Sequence, residues 1–437
     1  MHNRAILFLV IAASWCCAFG QNVAAVLTNA RARGTFDVRQ FGAKGDGQTD
    51  DQQAIVSAAA AAIEKGGGVV YFPAGRYVHS GILDFGAGVV MEGAGQATIL
   101  QGTNYSNAAI RFSGTPGCGV FNVTVASDAT VRLANYESAD IFLDGATDCA
   151  IAGVRIDGSA SAGIVIHNSS NVTAIDNEVR NTLADGIHTV GGSHQVLVTN
   201  NQAWNTGDDS FSAVAYATEP QTYGVTISNN VSVNSRARGV SCVGASECAI
   251  SGNHIYNPAA HGIDIAYESS WNTWIPSGAV ATGNVIVGVT NSGFNPLIVD
   301  GATNITIGVN DIYNSTPVYL HASQNVTVQG LRVHNALSIG VLGENCSALA
   351  LQAVEIDTAA QSGILLQSVN QGEISNAMLD NVQTTGDPGR GAIDAWLCSP
   401  LNGTGNVVQH KSNWSGQSFG AARLPQCTGT LTVAAEF

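Results

Sequence analysis

The 437-residue sequence is poor in charge and poorer still in lysine. Charged residues make up 11% of the chain, and 17 Lys plus Arg face 32 Asp plus Glu, a formal net charge of −15. Lysine occurs only as Lys44, Lys65 and Lys411. No basic stripe can be assembled from so few cations, which excludes a nucleic-acid partner and disfavours heavily sulfated glycans. The Glu-, Lys-, Leu- and Arg-rich runs that long helices need are also missing. Beyond the N-terminal segment there is no CxxC pair and no HExxH, so neither a metal site nor a cofactor is expected. No apolar run reaches bilayer length.

What the chain has instead is glycine, 50 residues of it, among 45% apolar residues. Short Val-, Ile- and Thr-rich segments alternate with Gly, Asn and Ser turns, the pattern of many short strands. Residues 1–20 combine a basic start, an apolar run from Ala5 to Ala13 and Ala18-Phe19-Gly20, and read as a cleaved secretory signal. Secretion permits disulfides. Seven cysteines follow that segment. The pairs Cys118–Cys149, Cys242–Cys248 and Cys398–Cys427 are expected, with Cys346 left over; other connectivities stay open.

Gln21 to Gly34 reads as a flexible lead. Thr49-Asp50-Asp51-Gln52 reads as a helix start, with Thr49 as N-cap and Gln52 completing a capping box. The alanines carry that helix to Glu64 or Lys65, and Gly66-Gly67-Gly68 stops it. Val69 to Phe72 then opens a strand. From about 81 to 380 a small residue, glycine and an aliphatic recur, as at Ala162-Gly163-Ile164, Asp185-Gly186-Ile187, Arg238-Gly239-Val240, His261-Gly262-Ile263 and Ser362-Gly363-Ile364. Asn-bearing turns such as Asn171-Val172-Thr173, Asn229-Asn230 and Asn304-Ile305-Thr306 lie between them. Coils of roughly 22–25 residues with three short strands each predict a right-handed parallel β-helix, all-β, capped by an N-terminal α-helix. We expect one domain over 21–437, with residues 36–78 as cap and 381–437 covering the other end. Eleven N-x-Ser/Thr sequons, such as Asn104 and Asn122, are glycosylation acceptors if the host is eukaryotic.

One stretch concentrates the chemistry. Ile187, Phe211, Val240 and Ile263 are 24, 29 and 23 residues apart, close to one coil each. The residues two places before them fall in one column: Asp185, Asp209, Arg238 and His261. Carboxylates on adjacent coils, about 4.8 Å apart, repel and shift each other's proton affinity toward the working range. A bend at Gly207 would turn Asp208 toward the same groove. His188 and Asp264 follow the column by three residues. Long loops at 210–239 and 263–293 flank it and carry Tyr216, Tyr223, Tyr267, Glu268, Trp271 and Trp274, and aromatic rings of this kind stack on sugar faces.

The segment from Phe36 to Val78 resembles the opening of the pectate-lyase-like superfamily of right-handed parallel β-helices. The acidic stretch resembles glycoside hydrolase family 28, the polygalacturonase family. Gly207-Asp208-Asp209 matches that family's Gly-Asp-Asp fully. Asp185-Gly186 matches its Asp-Gly, with Leu183-Ala184 replacing Asn-Thr. Arg238 stands where the family carries His, His261 arrives one coil later, and the family's Arg-x-Lys has no counterpart. The resemblance implies Asp208 as the general acid, with Asp185 and Asp209 holding and deprotonating the attacking water. It implies an inverting hydrolysis of a polysaccharide. His188, Arg238, His261, Asp264, Tyr267, Glu268 and Trp271 are the expected substrate-binding residues. A uronate lyase or C5-epimerase, with Arg236 or Arg238 beside a substrate carboxylate, is the second reading, and a non-catalytic glycan-binding β-helix the third. Oligomeric state is not legible.

Overall fold

The computed structural model describes residues 23–382, 391–409 and 422–435, so the expected signal segment lies outside the described residues. The chain divides into two compact units, Met1–Gly207 and Asp208–Phe437. Each is built as expected, from short parallel strands stacked coil upon coil into a right-handed parallel β-helix.

In the first unit Ile141, Ile164 and Ile187 pair in register, 23 residues apart each time. Cys149, Val172 and Val196 form a second such stack. These inward residues are buried to 1% exposure or less, and each coil shields the apolar floor of the next. In the second unit Val318, Val341, Ile364 and Ile393 repeat the arrangement, with steps of 23, 23 and 29 residues. The extra residues of longer coils leave as loops, since the strand register does not change.

Asparagine works in two ways. Asn171, Asn229 and Asn304 hold φ values of 53°, 54° and 58° at turn corners, the left-handed region asparagine tolerates. A second set is buried and forms the ladder Asn230–Asn253–Asn284–Asn310, each amide nitrogen donating to the next Oδ1 at 3.0, 2.9 and 2.8 Å. These ladders satisfy backbone groups where the chain turns inside the coil stack.

Three details of the N-terminal region differ from expectation. Residues 23–33 are helical, not a loose lead. Val26 and Ala30 pack on Val69, Val90, Phe121 and Ala150, so this helix covers apolar surface that would otherwise meet water. The α-helix Gln52–Glu64 is N-capped by Asp51 and has no side-chain cap hydrogen bond. Thr49 belongs to the strand Asp46–Asp50. Asp51 instead accepts the Lys44 and Gly45 N–H groups, at 2.6 and 3.0 Å, and Gln52 donates to the Ile82 carbonyl. Both side chains tie the helix start to neighbouring loop segments, so neither is used in a local capping box.

Disulfides Cys118–Cys149 and Cys242–Cys248 are formed. Cys346 is free, as expected, and Cys398 and Cys427 are unbonded, with the Cys398 N–H donating to Cys427 Sγ at 3.4 Å. Among the described residues no helix is long and apolar enough to cross a membrane.

Candidate active site

The second unit opens on the acidic cluster. Gly207, the last residue before it, lies so close to Leu183 that an added Cβ would stand 2.4 Å from that residue's carbonyl. Only glycine fits there, and residues 207–208 bend as expected before the strand Phe211–Val214 begins. Asp208 is left half-exposed while Asp209 is buried at 4% exposure.

Phe211 pairs with Val240, and Val240 with Ile263. Two residues upstream, that register aligns Asp209, Arg238 and His261, the column expected from spacing. Arg238 is its hub. Its backbone N–H donates to Asp209 Oδ1 at 2.9 Å, and Nη1 stands 3.6 Å from Asp209 Oδ2. Its Nε donates to Asp264 Oδ2 at 2.8 Å, and Nη2 donates to Glu268 Oε1. Ser241 Oγ donates to Asp209 Oδ2 at 2.7 Å. One guanidinium therefore serves three carboxylates, with a serine completing the coordination of Asp209.

Electrostatics follow from that crowding. Burial disfavours the Arg238 charge, but Asp209, Asp264, Glu268 and Asp208 together outweigh it and hold the guanidinium firmly protonated. Burial pushes the Asp264 carboxyl up, and Arg238 only partly opposes this. Glu268 is raised for the same reason, again against the pull of Arg238. The Asp264 Oδ1 atom is buried with no hydrogen-bond partner among the described residues. His261 is lowered to about 4, first by burial and then by the Arg238 charge. Its Nδ1 accepts the Asn295 N–H at 3.0 Å and its ring stands edge-on to Phe294. His261 is thus a neutral imidazole at neutral pH, and with Nδ1 accepting from Asn295 its proton sits on Nε2, which can donate one hydrogen bond without adding charge.

The two long loops of this unit clasp each other. Tyr216 and Thr273 form an antiparallel bridge, the Ala217 N–H donates to the Asn272 carbonyl at 2.7 Å, and Trp274 Nε1 donates to the Glu219 carbonyl at 3.0 Å. Thr273 Oγ1 accepts the Glu268 N–H at 2.9 Å, so the clasp positions the carboxylate that reaches Arg238. Tyr267 and Trp271 stay 39% and 65% exposed. Tyr223, by contrast, starts a strand, Tyr223–Ser228.

In the first unit, Asp185 and His188 are both 8% exposed, and His188 Nδ1 lies 2.6 Å from Asp185 Oδ2. Asp144 and His167 make a second such pair at 2.7 Å. Tyr136 lies against both imidazoles, at centroid distances of 5.5 Å to His167 and 5.7 Å to His188. Sequence reasoning missed Tyr136, Asp144 and His167. Tyr136 comes from a short 3-10 helix, Tyr136–Ser138, in an irregular excursion that no repeat spacing announces.

A polar column in the second unit was missed as well. Ala266, Asp300, His321, Glu344, Gln367 and Trp396 are stacked in register on successive strands. Each lies at the end of its strand, three residues after the aliphatic of the repeat, and that periodic position was the available signal.

Residues 35–264 match the family described as rhamnogalacturonase A/epimerase, pectate lyase-like, and residues 238–396 match the right-handed β-helix region. A 46-residue stretch is 48% identical to Alginate lyase 7 of Azotobacter vinelandii, covering 10% of this chain and 5% of that protein. Among solved structures, the catalytic domain of a GH87 α-1,3-glucanase aligns with TM-score 0.58 at 20% identity, over 71% of this chain and 63% of that one. Gene product 12 of bacteriophage phi29 aligns with TM-score 0.70 at 16% identity, over 86% and 57%. These structures share the fold. The chain spans about a twentieth of the lyase's length and under two thirds of either structure.

Proposed function

The chain belongs to the rhamnogalacturonase A/epimerase, pectate lyase-like family, and from that premise we propose that it is a secreted glycoside hydrolase that cleaves a polysaccharide by an inverting acid–base mechanism. The observation that carries this reading is the Asp208–Asp209 pair at the head of a carboxylate cluster organised by Arg238. Asp208, half-exposed at the bend, is the proton donor to the glycosidic oxygen. Asp209, fixed by Ser241 and the Arg238 N–H, has a defined orientation and serves as the base toward water. Arg238 balances the negative charge that would otherwise accumulate as Asp208 gives up its proton. His261, Asp264, Glu268, Tyr267 and Trp271 bind the sugar. Secretion is supported by the apolar N-terminal segment and by two disulfides.

Incubation with a panel of polysaccharides, followed for new reducing ends and for ultraviolet absorbance of unsaturated sugars, tests the reading. Reducing ends without absorbance are expected. Asp208→Asn or Asp209→Asn should each cut the rate by about 10²–10⁴-fold, the usual contribution of a positioned acid or base. The anomer released first, followed by NMR, should be inverted. The identity shared with an alginate lyase keeps β-elimination as the second reading. Absorbance rising with the reducing ends would establish elimination and overturn hydrolysis.

A further inference from the structure

We propose that the substrate is an uncharged glycan and not a polyuronate, and that the column Asp300–His321–Glu344–Gln367–Trp396 with Tyr319 beside it seats that glycan as it runs away from the Asp208–Asp209 centre. The proposal rests on the hydrolase reading given above and adds the substrate class to it.

Two observations carry it. The first concerns charge. A polyuronate presents a carboxylate on every ring, and a site that accepts one needs free cations along its length. On this sheet of the second unit the strands from Phe211–Val214 to Ile393–Trp396 contain Asp264, Asp300, Glu344 and Asp394, and neither Lys nor Arg. Arg238 precedes its strand, but its guanidinium is already committed to Asp209, Asp264 and Glu268. Asp264 is likewise committed to Arg238 through Oδ2, and its Oδ1 is buried with no hydrogen-bond partner among the described residues. Arg423 lies at the far end, in register with Asp394. Asp264 and Asp394 are buried, so a chain of carboxylates laid here would meet the half-buried Asp300 and Glu344 and no Lys or Arg on these strands.

The second observation is that the column is already wired for hydroxyls. His321 Nδ1 is 2.7 Å from Asp300 Oδ1, and the His321 ring stacks on Tyr319 at a centroid distance of 5.4 Å. Tyr319 donates its hydroxyl to Glu344 Oε2 at 2.6 Å. The Gln367 amide satisfies both neighbours when its nitrogen donates to Glu344 Oε1 at 2.6 Å and its oxygen accepts Trp396 Nε1 at 2.5 Å. Asp300, His321, Glu344, Gln367 and Trp396 are all half-buried, so each is held yet reachable. Beside them runs a parallel row, Ile298, Tyr319, Leu342 and Leu365, on the same strands. A polar row next to an apolar row matches a sugar ring, which offers hydroxyls at its edge and C–H groups on its face. Six strands at about 4.8 Å give this strip a length of roughly 24 Å, room for several rings. It is continuous with the acid cluster, since Asp264 and Tyr319 share one row and Ala266 and Asp300 the other.

The test separates binding from turnover. The Asp208→Asn protein is run by affinity electrophoresis in gels containing a soluble α-glucan, β-glucan, galactan, mannan or xylan, or polygalacturonate or alginate. Retardation by at least one neutral glycan is expected, and none by the uronates at low ionic strength. Tyr319→Ala, Gln367→Ala and Trp396→Ala, each shown folded by circular dichroism, should weaken that retardation about tenfold or more. Stronger retardation by a polyuronate than by any neutral glycan would overturn the proposal, most plainly if Arg236→Ala removed it, and would leave hydrolysis standing. Neutral binding unaffected by the three substitutions, or no binding to any glycan, would also overturn it. Neutral binding by Asp208→Asn without reducing ends from the native enzyme would sink the hydrolase reading and keep this one.

Discussion

Replacing Arg238 by Met isolates what the hub of the cluster does. The guanidinium is 23% exposed and faces Asp209, Asp264 and Glu268, whose side chains are 5%, 4% and 20% exposed. Removing one partner of a buried ion pair costs about 3–5 kcal/mol, because the remaining charge stays desolvated. The three carboxylates do not contribute equally. Asp209 keeps the Ser241 hydroxyl and a backbone N–H. Glu268 sits on a loop and can turn toward water. Asp264 keeps neither, since Oδ2 loses its one donor and Oδ1 has none among the described residues. It escapes only by taking up a proton. Burial already raises Asp264 and Glu268 above ordinary carboxylates, and losing Arg238 raises them further. A carboxyl with a raised folded pKa binds more protons folded than unfolded, so stability falls as pH rises from the ordinary carboxylate range through the folded pKa. Arg238→Met should therefore lose about 3 kcal/mol near pH 8 and markedly less near pH 5. Urea unfolding followed by circular dichroism at both pH values reads this directly. The double variant Arg238→Met/Asp264→Asn should regain about 1 kcal/mol or more near pH 8. A loss below about 1 kcal/mol, or one equal at both pH values, would refute the assignment of Arg238 as the charge that keeps Asp264 ionised.

Three further outcomes follow from other parts of the molecule. His261, lowered to about 4, should show no imidazole titration by NMR between about pH 6 and 7, and since the unfolded chain binds its proton first, its contribution to stability is lost as pH falls from about 6.5 through about 4; His261→Gln should flatten that acid limb. Asn253→Ala removes both amide bonds to Asn284 and Ile227 and strands the donors of Asn230, so a loss of about 2–4 kcal/mol in chemical denaturation is expected, and a change under about 1 kcal/mol would show the ladder to be ornamental. Gly207→Ala drives a methyl into the Leu183 carbonyl and should cost about 1–3 kcal/mol, with a fall in turnover beyond the loss of folded protein because Asp208 and Asp209 follow it directly; unchanged turnover per folded molecule would separate the bend from the chemistry.

How much of this was legible depends on distance along the chain. The β-helix follows from local pattern alone, because each coil repeats the same small residue, glycine and aliphatic where the strand register requires them. The same periodicity places Asp209, Arg238 and His261 in one column, since a parallel coil stack converts sequence spacing into lateral neighbours. The Cys118–Cys149 and Cys242–Cys248 bridges join residues on nearby coils or one turn apart and were legible for that reason.

Partnership was not legible. No spacing says that Arg238 is saturated by its own carboxylates, that the loops meet at Tyr216 and Thr273 and so fix Glu268, or that Tyr136 lies against two imidazoles. Nor does sequence distinguish Asp51, the N-cap that holds the loop at Lys44 and Gly45, from Thr49 as a helix cap. Repetition determines which residues share a face, because backbone hydrogen bonding sets the register. Which of them touch, and with what charge left over, is decided by irregular loops and by competition for a few buried donors, and those exist only once the coils are stacked.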